Sequence, residues 1–127
     1  MAVNRNLSKQ LTDHWDSGQY PMFVTGHELT GLVEGGHLQS DEADWAGGVD
    51  QLRQEKMLDS VNPHYQRAPG TLYEDIEKHG VAEPLDIDLS DAQPEIVEGH
   101  HRWLTTEDIE KRTGKDRWLP LNYDDVS

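Results

Sequence analysis

Leu7, Leu11, His14 and Trp15 recur at three- and four-residue spacing and predict a short helix, which the turn formers Asp16-Ser17-Gly18-Gln19-Tyr20-Pro21 bring to an end. Met22-Phe23-Val24-Thr25 is a brief β-prone run. Thr25-Gly26-His27-Glu28 then has the Thr-x-x-Glu spacing of a capping box, and it opens a helix with Leu29, Leu32 and Val33 on one side and Gly35-Gly36 as its stop. From Ser40, the residues Trp45, Val49 and Leu52 mark the apolar side of a helix reaching about Asp59. Gly47-Gly48 weakens that helix in the middle.

The second half is more regular. Leu72, Tyr73 and Ile76 form the apolar side of a helix whose end is signalled by Lys78, His79 and Gly80. Pro84 opens an alternating strand, with Leu85, Ile87 and Leu89 facing one way and Asp86 and Asp88 the other. Ser90-Asp91-Ala92-Gln93-Pro94 turns the chain into a second strand, Glu95-Ile96-Val97-Glu98. After Gly99 a helix runs to about Thr113 with Gly114 as its stop, and Trp118-Leu119-Pro120-Leu121-Asn122-Tyr123 supplies a last strand. The pattern predicts an α+β domain: residues 61–127 form a small mixed sheet with flanking helices, and residues 1–60 are an N-terminal helical extension packed on it.

Composition narrows what such a domain does. A chain of 127 residues with 34% hydrophobic content sustains one core. It contains no apolar run long enough to cross a bilayer, and its start, Met-Ala-Val-Asn-Arg-Asn, lacks a signal peptide's apolar stretch, so a cytoplasmic location is expected. The absence of cysteine excludes disulfides, thiolate zinc sites and cysteine nucleophiles. The formal net charge of −14 is spread along both halves. A surface this negative repels a nucleic-acid duplex unless its few bases cluster, so direct DNA binding is not expected. It suits a soluble face, a DNA mimic, or docking on a basic partner.

Gly99-His100-His101-Arg102, at the change from strand to helix, carries the best-defined chemistry. The glycine admits close approach, the helix start presents unpaired amides and partial positive charge to an anion, and Arg102 can hold two phosphate oxygens. His100 and His101 add donors. Before this element come Asn62-Pro63-His64-Tyr65-Gln66-Arg67 and the helix ending in Gly80-Val81-Ala82-Glu83-Pro84-Leu85, and Leu119-Pro120-Leu121 follows it. In that order the series resembles the nucleotide-binding fold shared by the ParB N-terminal domain and sulfiredoxin, over about half the chain. The leader at residues 20–60 is similar to that of phage-encoded ParB-like proteins.

The resemblance implies a nucleoside triphosphate ligand, CTP or ATP with Mg. Gly99, His100, His101 and Arg102 would meet its phosphates, with Arg67 reaching them, while Gly80, Val81 and Pro84 lie at base or sugar. It further implies slow NTP hydrolysis or phosphoryl transfer, for which Glu98 is the candidate catalytic carboxylate, as in a free-serine kinase of this fold. The sulfiredoxin reaction, which runs through a cysteine, does not carry over. The sequence given holds no helix-turn-helix reader after the module, so clamping on DNA does not carry over either. Where relatives have a second Arg or Glu this chain has His, leaving less fixed positive charge and a pH-dependent site.

Two other classes compete: a catalytically inert interaction protein that binds a basic host protein, and a nuclease. The residues name no metal. His27-Glu28 lacks the second histidine of a zinc helix because Gly31 stands four residues on, and Asp86-x-Asp88-x-Ser90-Asp91 lacks the glycine and final glutamate of a calcium loop. His100 and His101, adjacent on a helix, point in different directions.

Overall fold

Among the described residues, most α-helices begin on a hydroxyl group that accepts a backbone N–H three residues ahead, the arrangement that satisfies one of the orphan donors of a helix start. In the computed structural model, which describes residues 7–58 and 69–124, Ser8 caps α1 (Lys9–Asp16) and Ser40 caps α3 (Asp41–Ala46). Thr71 does the same for α5 (Leu72–His79). Thr25 is the last paired residue of a short strand, β1 (Phe23–Thr25), and starts α2 (Gly26–Glu34) through a complete capping box: Thr25 Oγ1 accepts from Glu28 N, and Glu28 Oε1 accepts from Thr25 N at 2.8 Å.

The helix expected from Ser40 to about Asp59 is divided. Gly47 and Gly48 take φ of 100° and 129°, outside the range of an α-helix, so α3 ends there and α4 (Val49–Arg53) starts afresh, passing into a π-helical turn at Gln54–Leu58. This change of direction also corrects the placement of Trp45, which is 85% exposed rather than on the apolar side, while Val49 and Leu52 are buried.

The later elements follow the expected pattern closely: β2 (Leu85–Asp88), β3 (Glu95–Glu98), α6 (His100–Thr113) and β4 (Trp118–Asp124). They form an α+β architecture with one four-stranded mixed sheet in the order β1-β4-β2-β3. β4 runs antiparallel to β1 and parallel to β2, and β2 pairs antiparallel with β3 across a bulge between Asp86 and Ile87. Helices α2 and α6 pack on each other, and Trp103 of α6 is fully buried among Val24, Leu29, Leu32, Leu85 and Leu119. The main core therefore draws on residues from both sides of position 60, and β1 adds a strand from the first third to the sheet. Tyr73, Ile76 and Ile109 make a smaller cluster where α5 meets α6. Among the described residues no helix is long and apolar enough to cross a membrane.

Candidate functional site

The start of α6 combines a left-handed glycine with an unusually open first turn. Gly99 takes φ 109° and ψ 17° at the N-cap, and no side chain caps the helix behind it. The first amides of α6 thus have no partner within the helix, and a 14-residue array of peptide dipoles ends at this point. A Cβ at Gly99 would lie 2.6 Å from Leu85 Cγ and 3.0 Å from Arg102 Nη2. The glycine is required by the protein's own packing, in addition to any room it leaves for a ligand.

In front of these amides lies a concavity of about 180 Å³ lined by Glu42, Lys56, Leu72, Val97 and the run from Glu98 to Arg102. Arg102 spans from it toward the α5–β2 connection: Nη1 donates to Glu83 Oε2 and Nη2 to the Pro84 carbonyl, both at 3.2 Å. Its Nε–H is shielded from solvent and has no acceptor. Lys56, which the sequence reading did not assign to the site, enters through the π-helical turn and pairs with Glu42 at 2.7 Å.

The two histidines separate as their neighbouring helix positions require. The His100 ring turns inward and is buried, with Nδ1 2.6 Å from Glu42 Oε2 and Nε2 2.9 Å from Ser40 Oγ. That corrects its expected role as a side-chain donor to phosphate, because both ring nitrogens are engaged inside the protein. The His101 ring lines the concavity, and burial, reinforced by Lys56, pushes its pKa down to about 4. Burial likewise lowers the His100 pKa against the opposing pull of Glu42. Both rings are therefore neutral near pH 7, and the fixed positive charge at this site comes from Arg102 and Lys56. Burial acts to raise the Glu42 carboxyl, but its Lys56 hydrogen bond and the neighbouring His100 outweigh that and hold it below the usual range.

Ser40, His100 and Glu42 have the relative placement of a nucleophile, base and orienting carboxylate, although they are 60 and 58 positions apart at the widest. Ser40 is only 2% exposed, does not line the concavity, and its Oγ already accepts from Ala43 N. A substrate carbonyl has no approach to it. The trio instead ties the start of α3 to the start of α6.

Glu98 ends β3 exposed at the rim, beside Gly99. Gly80 and Val81 line a separate, open depression of about 390 Å³ shared with Thr106, Asp116, Arg117 and Trp118, and Pro84 meets the first concavity only through its carbonyl contact with Arg102. Arg67 and the Asn62-Pro63-His64-Tyr65-Gln66 segment lie outside the described residues. The fold thus brings together Glu98 through Arg102 and adds Lys56 and Glu42, while Gly80 and Val81 face a neighbouring space.

Comparison with protein-family models, with curated proteins and with solved structures finds no match to this chain. Fold and site together define an α+β domain with a mixed four-stranded sheet and a small, polar, cation-bearing concavity at one helix start.

Proposed function

We propose that this protein is a ParB-like nucleotide-binding domain that receives phosphate oxygens at the start of α6. The observation that carries the reading is the Arg102 Nε–H, which is buried without an acceptor beside open helix amides. An orphan donor of this kind costs about 1–3 kcal/mol, and a ligand oxygen relieves it. Lys56 supplies the second positive charge. The volume of about 180 Å³ falls below the roughly 300–1,000 Å³ of a site enclosing a whole small molecule, so the concavity suits the phosphate end, with Gly80, Val81 and Pro84 nearer the nucleoside. Mg would accompany a CTP or ATP ligand, and Glu98 stands at the rim as the carboxylate for slow hydrolysis or phosphoryl transfer. Calorimetric titration with CTP, ATP and inorganic triphosphate tests this. Saturable binding that disappears in Arg102→Ala and weakens in Lys56→Ala is expected; titrations without heat for all three ligands would refute it.

A second reading, an inert acidic interaction protein that docks on a basic host protein, is favoured by Met22, Phe23 and Trp118. These side chains are 67%, 55% and 59% exposed where β1 meets β4, on a chain of net charge −14. The same surface opposes DNA, which disfavours nuclease action.

A further inference from the structure

The fold brings together three side chains that are far apart in sequence. His27 on the first turn of α2, Glu110 near the end of α6 and Asp116 in the α6–β4 connection present ligand-type atoms all within 4.8 Å of one another. We propose that His27, Glu110 and Asp116 form a binding site for a divalent first-row cation of the zinc type, with its remaining position open to the depression beside Asp116.

The distances favour a shared ion over direct pairing. His27 Nδ1 lies 3.6 Å from Glu110 Oε1 and 3.5 Å from Asp116 Oδ1. A charge-assisted hydrogen bond closes to about 2.7–2.9 Å, so these contacts are too long for one. Donor atoms placed tetrahedrally around an ion at about 2.0–2.1 Å stand roughly 3.3–3.4 Å apart, close to the two separations from His27, and the whole set lies within 4.8 Å. The Thr25 hydroxyl is also 3.4 Å from His27 Nδ1, a long contact that leaves the ring available.

Glu110 is fixed in advance. Its Oε2 accepts from Gly26 N at 3.2 Å and Arg117 N at 2.9 Å, and its Oε1 accepts from His27 N at 2.8 Å. Two carboxylate oxygens offer about four lone-pair sites. Three are taken, and the fourth belongs to Oε1, the atom facing the His27 ring. Gly26 permits this approach, since a Cβ there would come within 2.6 Å of Oε1. Arg117 does not compete as a cation, because its guanidinium donates to the Ile76 and Glu77 carbonyls.

A separate observation points to a ligand in the adjacent space. Thr106 lies one turn before Glu110 on the same side of α6, is 1% exposed, and its hydroxyl has no partner. It lines the depression that also includes Asp116. A ligand oxygen seated in that depression would give the hydroxyl its missing partner. One imidazole and two carboxylates suit zinc, manganese or cobalt better than calcium or magnesium, which take all-oxygen shells.

The test uses full-length protein stripped with chelator and titrated with Zn²⁺ by calorimetry and with Co²⁺ by visible absorption. One equivalent of Zn²⁺ is expected, with cobalt bands of a low-symmetry four-coordinate site. His27→Ala and Asp116→Ala, both at accessible positions, are each expected to raise Kd by more than about 10-fold, the least that loss of even an outer partner costs. His14→Ala, at an exposed position on α1 outside the depression, serves as the control and leaves binding unchanged. Retention of the same stoichiometry and affinity in His27→Ala and Asp116→Ala overturns the site, as does the absence of saturable Zn²⁺ binding; preference for Mg²⁺ over Zn²⁺ overturns the cation class. Circular dichroism on each variant separates ligand loss from unfolding. The titrations are run without nucleotide, so neither outcome depends on binding at Arg102.

Discussion

Arg102 is held by groups that compete weakly with a ligand. Glu83 is exposed, and an ion pair of this kind is worth little because water screens it and two flexible side chains must be ordered. Replacing Glu83 by Gln removes a negative charge from the guanidinium while leaving the Pro84 carbonyl contact. Triphosphate affinity should therefore rise in Glu83→Gln, measured by the titration used for the wild type; an unchanged or lower affinity would show that Glu83 does not restrain the arginine. His101 gives a second residue-level prediction. Its folded pKa of about 4 is below the ordinary 6.5, so the unfolded chain takes up the proton more readily. The corresponding stability is full above pH 6.5 and is lost as pH falls toward 4. Thermal melting of His101→Gln across that interval should show a flatter pH dependence than the wild type.

At the scale of elements, α6 is where polar composition misleads most. Glu107 is 1% exposed, yet it accepts from Arg53 Nε at 2.5 Å and Nη2 at 2.7 Å and also from the Thr30 hydroxyl, which in turn accepts from Trp103 Nε1. This network joins α2, α4 and α6. Truncating Glu107 leaves the largely buried Arg53 guanidinium with only Asp50 beside it, so Glu107→Ala should cost about 3 kcal/mol, the low end for a broken buried pair, in chemical denaturation. Burial alone would raise the Glu107 carboxyl, but its Arg53 and Thr30 hydrogen bonds outweigh that and hold it below the ordinary 4.5. The contribution is thus present above pH 4.5 and disappears as pH falls further, and Glu107→Gln should remove that part of the acid sensitivity.

The legibility of the chain follows from the same distinction between local and distant partners. The capping box at Thr25 and Glu28, and the glycines that bracket α6, operate within a few residues and could be read directly. Glu107, Glu110 and the inward turn of His100 could not, because their partners lie 54, 84 and 60 positions away. A sequence inspected locally also misses the cluster of His27, Glu110 and Asp116, since His27 meets Glu110 and Asp116 only through the packing of α2 on α6. Trp45 followed the right helical spacing, but the paired positive-φ glycines reset the phase before Val49. In the candidate site, the Gly99–Arg102 element was visible and Lys56 was not, because its approach depends on the π-helical turn.

On the scale of the whole molecule, charge is the dominant unbalanced quantity. With 25 acids and 11 bases, the folded chain repels itself more than the expanded one, and salt weakens that repulsion. Raising ionic strength from about 0.01 to about 0.15 M shortens the Debye length from about 30 to about 8 Å. The melting temperature should increase over that range, and a decrease would show that attractive pairs such as Arg53–Glu107 outweigh the net field.

β4, latest of the strands in sequence, occupies an interior position in the sheet between β1 and β2. A nascent chain on the ribosome therefore has no bridge between its early and middle strands until the segment around Leu119 and Leu121 has cleared the exit tunnel. Until that moment β1 and β2 each expose an unzipped edge, and the interval between their synthesis and the arrival of β4 is when a chaperone has most to shield.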